Sequence, residues 1–132
     1  MSRFRTNRAS VVIALACLWA VAPRPAAAGE LEAEIAHLLE AVAESGCTFI
    51  RNGSEYSSQN AREHIEMKYA HVKRRVRTSE QFIEYTASRS SITGFAYTIR
   101  CGDLETPSGE WLTAELARYR AKSGDSGSAQ GR

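Results

Sequence analysis

Apolar residues recur at helical spacing, then at strand spacing, and the alternation outlines the whole domain. Leu31, Ile35, Leu38, Leu39 and Val42 fall three and four apart, which predicts a helix from about Glu30 to Glu44. Glu30, Glu32 and Glu34 crowd its first turns, where the helix dipole favours negative charge, and Ser45-Gly46 ends it. Residues 47–51 (CTFIR) read as a strand and 52–54 (NGS) as a turn. Ala61, Ile65, Tyr69, Val72 and Val76 stripe a second helix from about Ser58 to Arg75, capped by Asn60 or a preceding serine. A third helix spans about Ser79 to Ser88, with Phe82, Ile83, Thr86 and Ala87 facing inward. Residues 95–101 (FAYTIRC) read as a second strand. Thr106 and Pro107 then suit the cap and first position of a fourth helix, which turns Trp111, Leu112 and Leu116 inward.

The two ends are different in kind. Arg3, Arg5 and Arg8 precede an uncharged apolar run from Val11 to Ala22, and Ala26 and Ala28 sit at signal-peptidase spacing. A basic start, a short apolar core and an A-x-A site predict a cleaved export signal over 1–28, since a membrane span needs about 20 apolar residues. Cys17 belongs to that signal, because Ala14 stands where a lipobox wants Leu; lipoprotein processing is the alternative. Four of the 17 Lys and Arg lie in the signal and none of the 15 Asp and Glu do. The remainder therefore carries 13 cations and 15 acids, a net charge near −2. The formal +2 of the whole chain is thus no sign of a nucleic-acid partner, and the mature chain has no membrane span. The expected organisation is one domain over 29–120 and a disordered Gly/Ser-rich tail over 121–132. The GDSG at Gly124–Gly127 resembles a protease motif only by chance, for it lacks His and Asp partners.

Cleavage would leave two cysteines in an oxidising compartment, which suggests a bridge. Cys47 opens the first strand and Cys101 closes the second, so their sulfurs meet only if the strands run antiparallel. Phe49 then faces Ile99 and Arg51 faces Tyr97, with Cys47, Phe49, Ile99 and Cys101 on one apolar face. Ile50 points to the other face, where a helix is expected to cover it. The predicted fold is α+β, four helices around a two-stranded antiparallel pair.

Several groups invite chemistry. Ser88, Ser90 and Ser91 crowd the end of the third helix, but no G-x-S-x-G or S-x-x-K accompanies them, and serines there commonly satisfy loose carbonyls. His64 and His71 are seven apart, about 10.5 Å along a helix, too far to share a metal. No cofactor or metal set is evident. The basic run Lys73–Arg77 suits a helix C-terminus and lacks interleaved aromatics for base stacking. Antiparallel pairing brings Arg51 and Asn52 to the same end as Ser90 and Ser91, with Arg89 near. Such donors suit an anion, a peptide carboxylate or a sugar, or else a hydrogen-bonded corner that fixes two loops.

The stretches CTFIRNGSEY, AREHIEMKYAHV, TSEQFIEYTASRSSITGFAY and WLTAELARYR resemble the YfeK-like family of small bacterial periplasmic proteins, a domain of unknown function. The most specific pieces are F-x-R-N-G at Phe49–Gly53, the His64-x3-Lys68 pair, E-Q-F-I at Glu80–Ile83 and S-S-I-T-G at Ser90–Gly94. The resemblance implies a bacterial exported protein and supplies no activity. It draws Arg51, Asn52, His64, Lys68, Ser90 and Ser91 together as one candidate site. The expected function is a periplasmic binding or accessory protein whose partner is an envelope protein, a peptide or a small anion. The rivals are a small envelope hydrolase using Ser90 or Ser91, and a purely structural adaptor.

Overall fold

The computed structural model describes residues 28–128 of the 132. The expected export signal, Cys17 included, lies outside them but for Ala28, as do residues 129–132 of the expected tail.

The first helix, α1 (Ala28–Glu44), buries Ile35, Leu38, Leu39 and Val42, the stripe that its spacing predicts. β1 (Thr48–Arg51) and β2 (Ser54–Tyr56) follow as a tight hairpin. Asn52 and Gly53 turn it with φ of 50° and 79°, the pair of positive angles that a two-residue hairpin loop demands and that Asn-Gly supplies at least cost. The second helix, α2 (Ser58–Val72), is capped by Ser57, whose side chain accepts from the Asn60 amide. A 3₁₀ turn (Lys73–Arg75) extends it, so the expected single helix to Arg75 tightens over its last three residues. Thr78 caps α3 (Ser79–Thr86). β3 (Thr98–Cys101) and β4 (Leu104–Pro107) form a second hairpin around Gly102, φ 62°, and α4 (Ser108–Ser128) closes the described chain.

The sheet therefore has four antiparallel strands in the order β2-β1-β3-β4, where the sequence predicted two. The expected central pairing is present: Phe49 lies opposite Ile99, and Cys47 is bonded to Cys101 with Cα atoms 4.7 Å apart. The extra strands flank this pair. Pro107 ends β4 rather than opening α4, which starts one residue later. Proline fits there because β4 is an edge strand, where a missing N–H costs no ladder bond. Phe95 falls outside β3 and is exposed; the strand begins only at Thr98.

Phe49 and Ile99 meet Leu38, Ile65, Phe82 and Leu112 in one core beneath the sheet. The opposite face carries cross-strand polar pairs, Arg100 with Glu55 and Thr98 with Glu105. Ile50 sits on this polar face half-buried, and it is not part of the core cluster, so the expected helical cover is not there. Polar partners satisfied across the strands let this face stay open to water. α4 is helical over 121–128, into the Gly/Ser-rich segment where composition predicted disorder.

Three helices are tied by a charged knot that periodicity did not reveal. Glu34 on α1 is buried at 5% exposure and accepts from Ser79 of α3 and, through both carboxylate oxygens, from Arg120 of α4. Arg120 also bonds Glu80 at 2.6 Å. Glu34, one of the acids whose place suggested a dipole effect, stands in the second turn of α1 and is an interhelical anchor.

Candidate functional site

The two loops at one end of the sheet meet as the antiparallel register requires. The Asn52 side chain accepts a hydrogen bond from the Thr93 hydroxyl at 2.8 Å, joining the β1–β2 turn to the loop before β3. That loop is closed on itself: Ser90 N–H donates to Phe95 C=O at 2.9 Å, and Gly94 N–H to Ser90 C=O at 3.0 Å. The buried Ser90 hydroxyl accepts from the amides of Ile92 and Thr93. Ser88 donates to the Ile83 carbonyl at the end of α3. The serine run therefore terminates a helix and folds a loop. Asn52 and Ser90 are architecture in this sense. Ser91 is exposed and lines the same end. Arg89 departs from the group: its guanidinium lies 3.4 Å from Glu84 and faces away, and only its carbonyl takes part.

Arg51, His64 and Lys68 form the centre of what remains. Arg51 ends β1, while His64 and Lys68 stand one turn apart on α2. Together with Asn52, Ser90 and Ser91 they line a pocket of about 380 Å³ that has no acidic residue in its wall. The Arg51 guanidinium lies 4.5 Å from the Tyr56 ring centre and makes no ion pair with a carboxylate among the described residues. Lys68 Nζ donates to the Arg89 carbonyl at 2.9 Å and lies 5.1 Å from the Tyr97 ring centre. The His64 ring meets Tyr97 edge to face at 6.1 Å, and its Nε2 is buried without a hydrogen-bond partner among the described residues.

Electrostatics follow from that packing. Burial, then the charge of Arg51 and that of Lys68, holds His64 below the ordinary histidine value. Burial and Arg51 likewise lower Lys68. Tyr97 is pushed up by burial, against the opposing pull of Arg51 and a hydrogen bond with Ser90. Burial and neighbouring positive charge thus make the charged forms of His64 and Lys68 less favourable than in water.

A second pocket, of about 440 Å³, adjoins the first and shares Arg51, Tyr56, His64 and Tyr97 with it. Six of the nine remaining lining residues are apolar, Phe49, Ala61, Ile65 and Ala87 among them; Asn60, Glu63 and Ser108 are the polar ones. The sequence reading found the polar rim and missed Tyr56 and Tyr97 as part of it. Tyr56 belongs to a strand not foreseen; Tyr97 was placed opposite Arg51 but read only as a strand residue. Its backbone instead bonds Ser88 and Ser108, leaving the ladder there. The other histidines are elsewhere: His37 bonds Glu115 at 2.9 Å and stacks on Tyr119, and His71 is exposed. No cluster of three or more His, Cys, Asp or Glu suited to a metal occurs among the described residues, and no helix there is long and apolar enough to cross a membrane.

A profile described as a family of unknown function, DUF5329, matches residues 29–120. The chain is 42% identical over 67 residues to Uncharacterized protein YfeK of Salmonella typhimurium, a stretch that covers 50% of this chain and 56% of that protein. The chain thus spans little more than half the length of this curated relative. No solved structure matches.

Proposed function

The chain belongs to the DUF5329 family of unknown function, and from that premise we propose that it is a non-catalytic binding protein of the bacterial periplasm that holds a small anion between Arg51, His64 and Lys68. The observation that carries the reading is the acid-free pocket into which these three residues converge. Among the described residues, five of the nine arginines are in ion pairs and Arg74, Arg75 and Arg77 are exposed, whereas Arg51 is half-buried without a carboxylate partner, beside a depressed lysine and histidine. An arriving anion offsets their mutual repulsion and supplies the acceptor that a protonated His64 Nε2 would need. Export is supported by the basic, apolar and small-residue order of the first 28 residues and by the Cys47–Cys101 bridge. A hydrolase built on Ser90 draws little support, because that hydroxyl is engaged by two loop amides and His64 has no hydroxyl partner.

Titration of the disulfide-intact protein with acetate, followed by amide chemical shifts, tests the reading. Wild type should show saturable shifts around Arg51 and Lys68, strengthened at low salt. Arg51→Gln and Lys68→Met should each weaken binding by about tenfold, the usual worth of one charge-assisted hydrogen bond. Unchanged affinity in both folded variants, or shifts only at the exposed basic run Lys73–Arg77, would refute it.

A further inference from the structure

The two adjoining pockets differ in chemistry, and that difference defines a ligand with two ends. Resting on the anion reading above, we propose that the ligand is a carboxylate bearing an apolar tail, with its head at Arg51, His64 and Lys68 and its tail in the larger pocket.

The head end favours one delocalised negative charge. Arg51 is already laid against Tyr56, and Lys68 already donates to a carbonyl, so each keeps only part of its donor capacity for a ligand. His64 is biased towards the neutral form and can add one N–H. Two or three donors suit the two oxygens of a carboxylate, whereas a phosphate dianion presents three oxygens and more charge to satisfy. Tyr56 and Tyr97 line both pockets and so stand at the boundary, with their rings against the cations of Arg51 and Lys68.

The tail end is made by core residues that leave the core incompletely closed. Phe49, Ala61, Ile65 and Ala87 are each buried, yet all line the 440 Å³ pocket. Two of the four are alanines, so the space exists because small side chains stand where larger ones would fill it. Met67, 53% exposed, stands at its edge, an adaptable thioether at the mouth of an apolar recess. Pockets of this size lined by apolar groups with a few convergent polar ones are typical of small-ligand sites, which run from about 300 to 1,000 Å³. The same chemistry occurs in a free short-chain acid and in a peptide C-terminus with an apolar last residue.

The experiment is a matched titration of the disulfide-intact protein with acetate, butyrate, hexanoate, hexanamide and inorganic phosphate. Affinity should rise by about two- to fourfold per added methylene, up to the transfer worth of a CH₂. Hexanamide, which keeps the tail and lacks the charge, should bind at least tenfold more weakly than hexanoate. Ala61→Leu should abolish the length dependence while leaving acetate affinity unchanged; should that variant not fold, the wild-type series decides alone. A tripeptide ending in Leu, with free or amidated C-terminus, separates the two sources. Tighter binding of the free-acid peptide than of hexanoate assigns a peptide terminus, and weaker binding assigns a free acid. Equal affinity across the acid series, or phosphate binding tightest, overturns the tail and leaves the anion site standing. No binding by any anion overturns both.

Discussion

His64 carries the sharpest consequence at the scale of a single residue. Its folded-state value lies below the ordinary one, chiefly through burial. The unfolded chain therefore takes up the proton first as pH falls. The associated stability is fully present above about pH 6.5 and is lost as pH drops through the folded value. Urea midpoints measured between pH 5 and 8 should decline on the acid side in wild type, and His64→Gln should flatten that decline. An identical decline in the variant would place the effect elsewhere. Asn52 and Ser90 show how far single residues could be read from the sequence. Their hydrogen-bonding chemistry was evident, and their grouping followed from the disulfide register. What sequence did not show was that the Asn52 side-chain oxygen and the Ser90 hydroxyl are engaged within the loops, whereas His64 Nε2 has no hydrogen-bond partner and Arg51 no carboxylate partner among the described residues.

Among the elements, the helices were legible and the sheet edges were not. Stripes such as Leu38–Val42 and Phe82–Ile83 repeat over full turns and bury where they predict. β2 and β4 are three and four residues long and mostly exposed, so no apolar alternation marks them. The available signals were Asn52-Gly53 and Gly102-Asp103, both followed by residues able to pair back onto a strand. Reading the first as a bare turn lost Tyr56, one wall of the site. The charged knot of Glu34, Glu80 and Arg120 joins α1, α3 and α4 across 86 residues of sequence, which no local pattern reveals. Arg120 lowers the pKa of Glu34 above all through its hydrogen bonds, outweighing burial. Arg120→Ala would strand a buried carboxylate, at a cost of about 2 kcal/mol. That is less than a fully buried pair because Arg120 is half exposed and screened. Thermal denaturation at neutral pH checks it; a loss below about 0.5 kcal/mol would mean that the knot is surface decoration. Since Glu34 is depressed, its share of the stability is lost as pH falls below about 4.5.

For the molecule as a whole, the covalent link joins the two central strands at the end of the sheet away from the site. Cys47 and Cys101 are 54 apart in sequence, and closing a loop of that length removes chain entropy worth about 4 kcal/mol at most. A domain of this size has about 5–15 kcal/mol in total, so the bridge supports a large fraction of its stability. Reduction, or Cys47→Ala with Cys101→Ala, should lower the urea midpoint markedly and raise the m value, because the unlinked chain exposes more surface when it unfolds. A loss under about 1 kcal/mol would show that the sheet holds its register without the sulfurs. The register in turn sets Arg51 beside α2, so the reduced protein should also bind acetate more weakly. This long-range pairing was readable because two cysteines at opposite strand ends admit only one orientation.

The most direct measurement is the titration of His64 in isotope-labelled protein, assigned against His64→Gln, with and without saturating hexanoate. Burial chiefly, and then the charges of Arg51 and Lys68, depress the imidazole; an anion there cancels the charge part, so its pKa should rise on binding, and affinity should increase as pH falls from 8 to 6. A His64 titration curve that is unmoved by the bound acid would contradict the account.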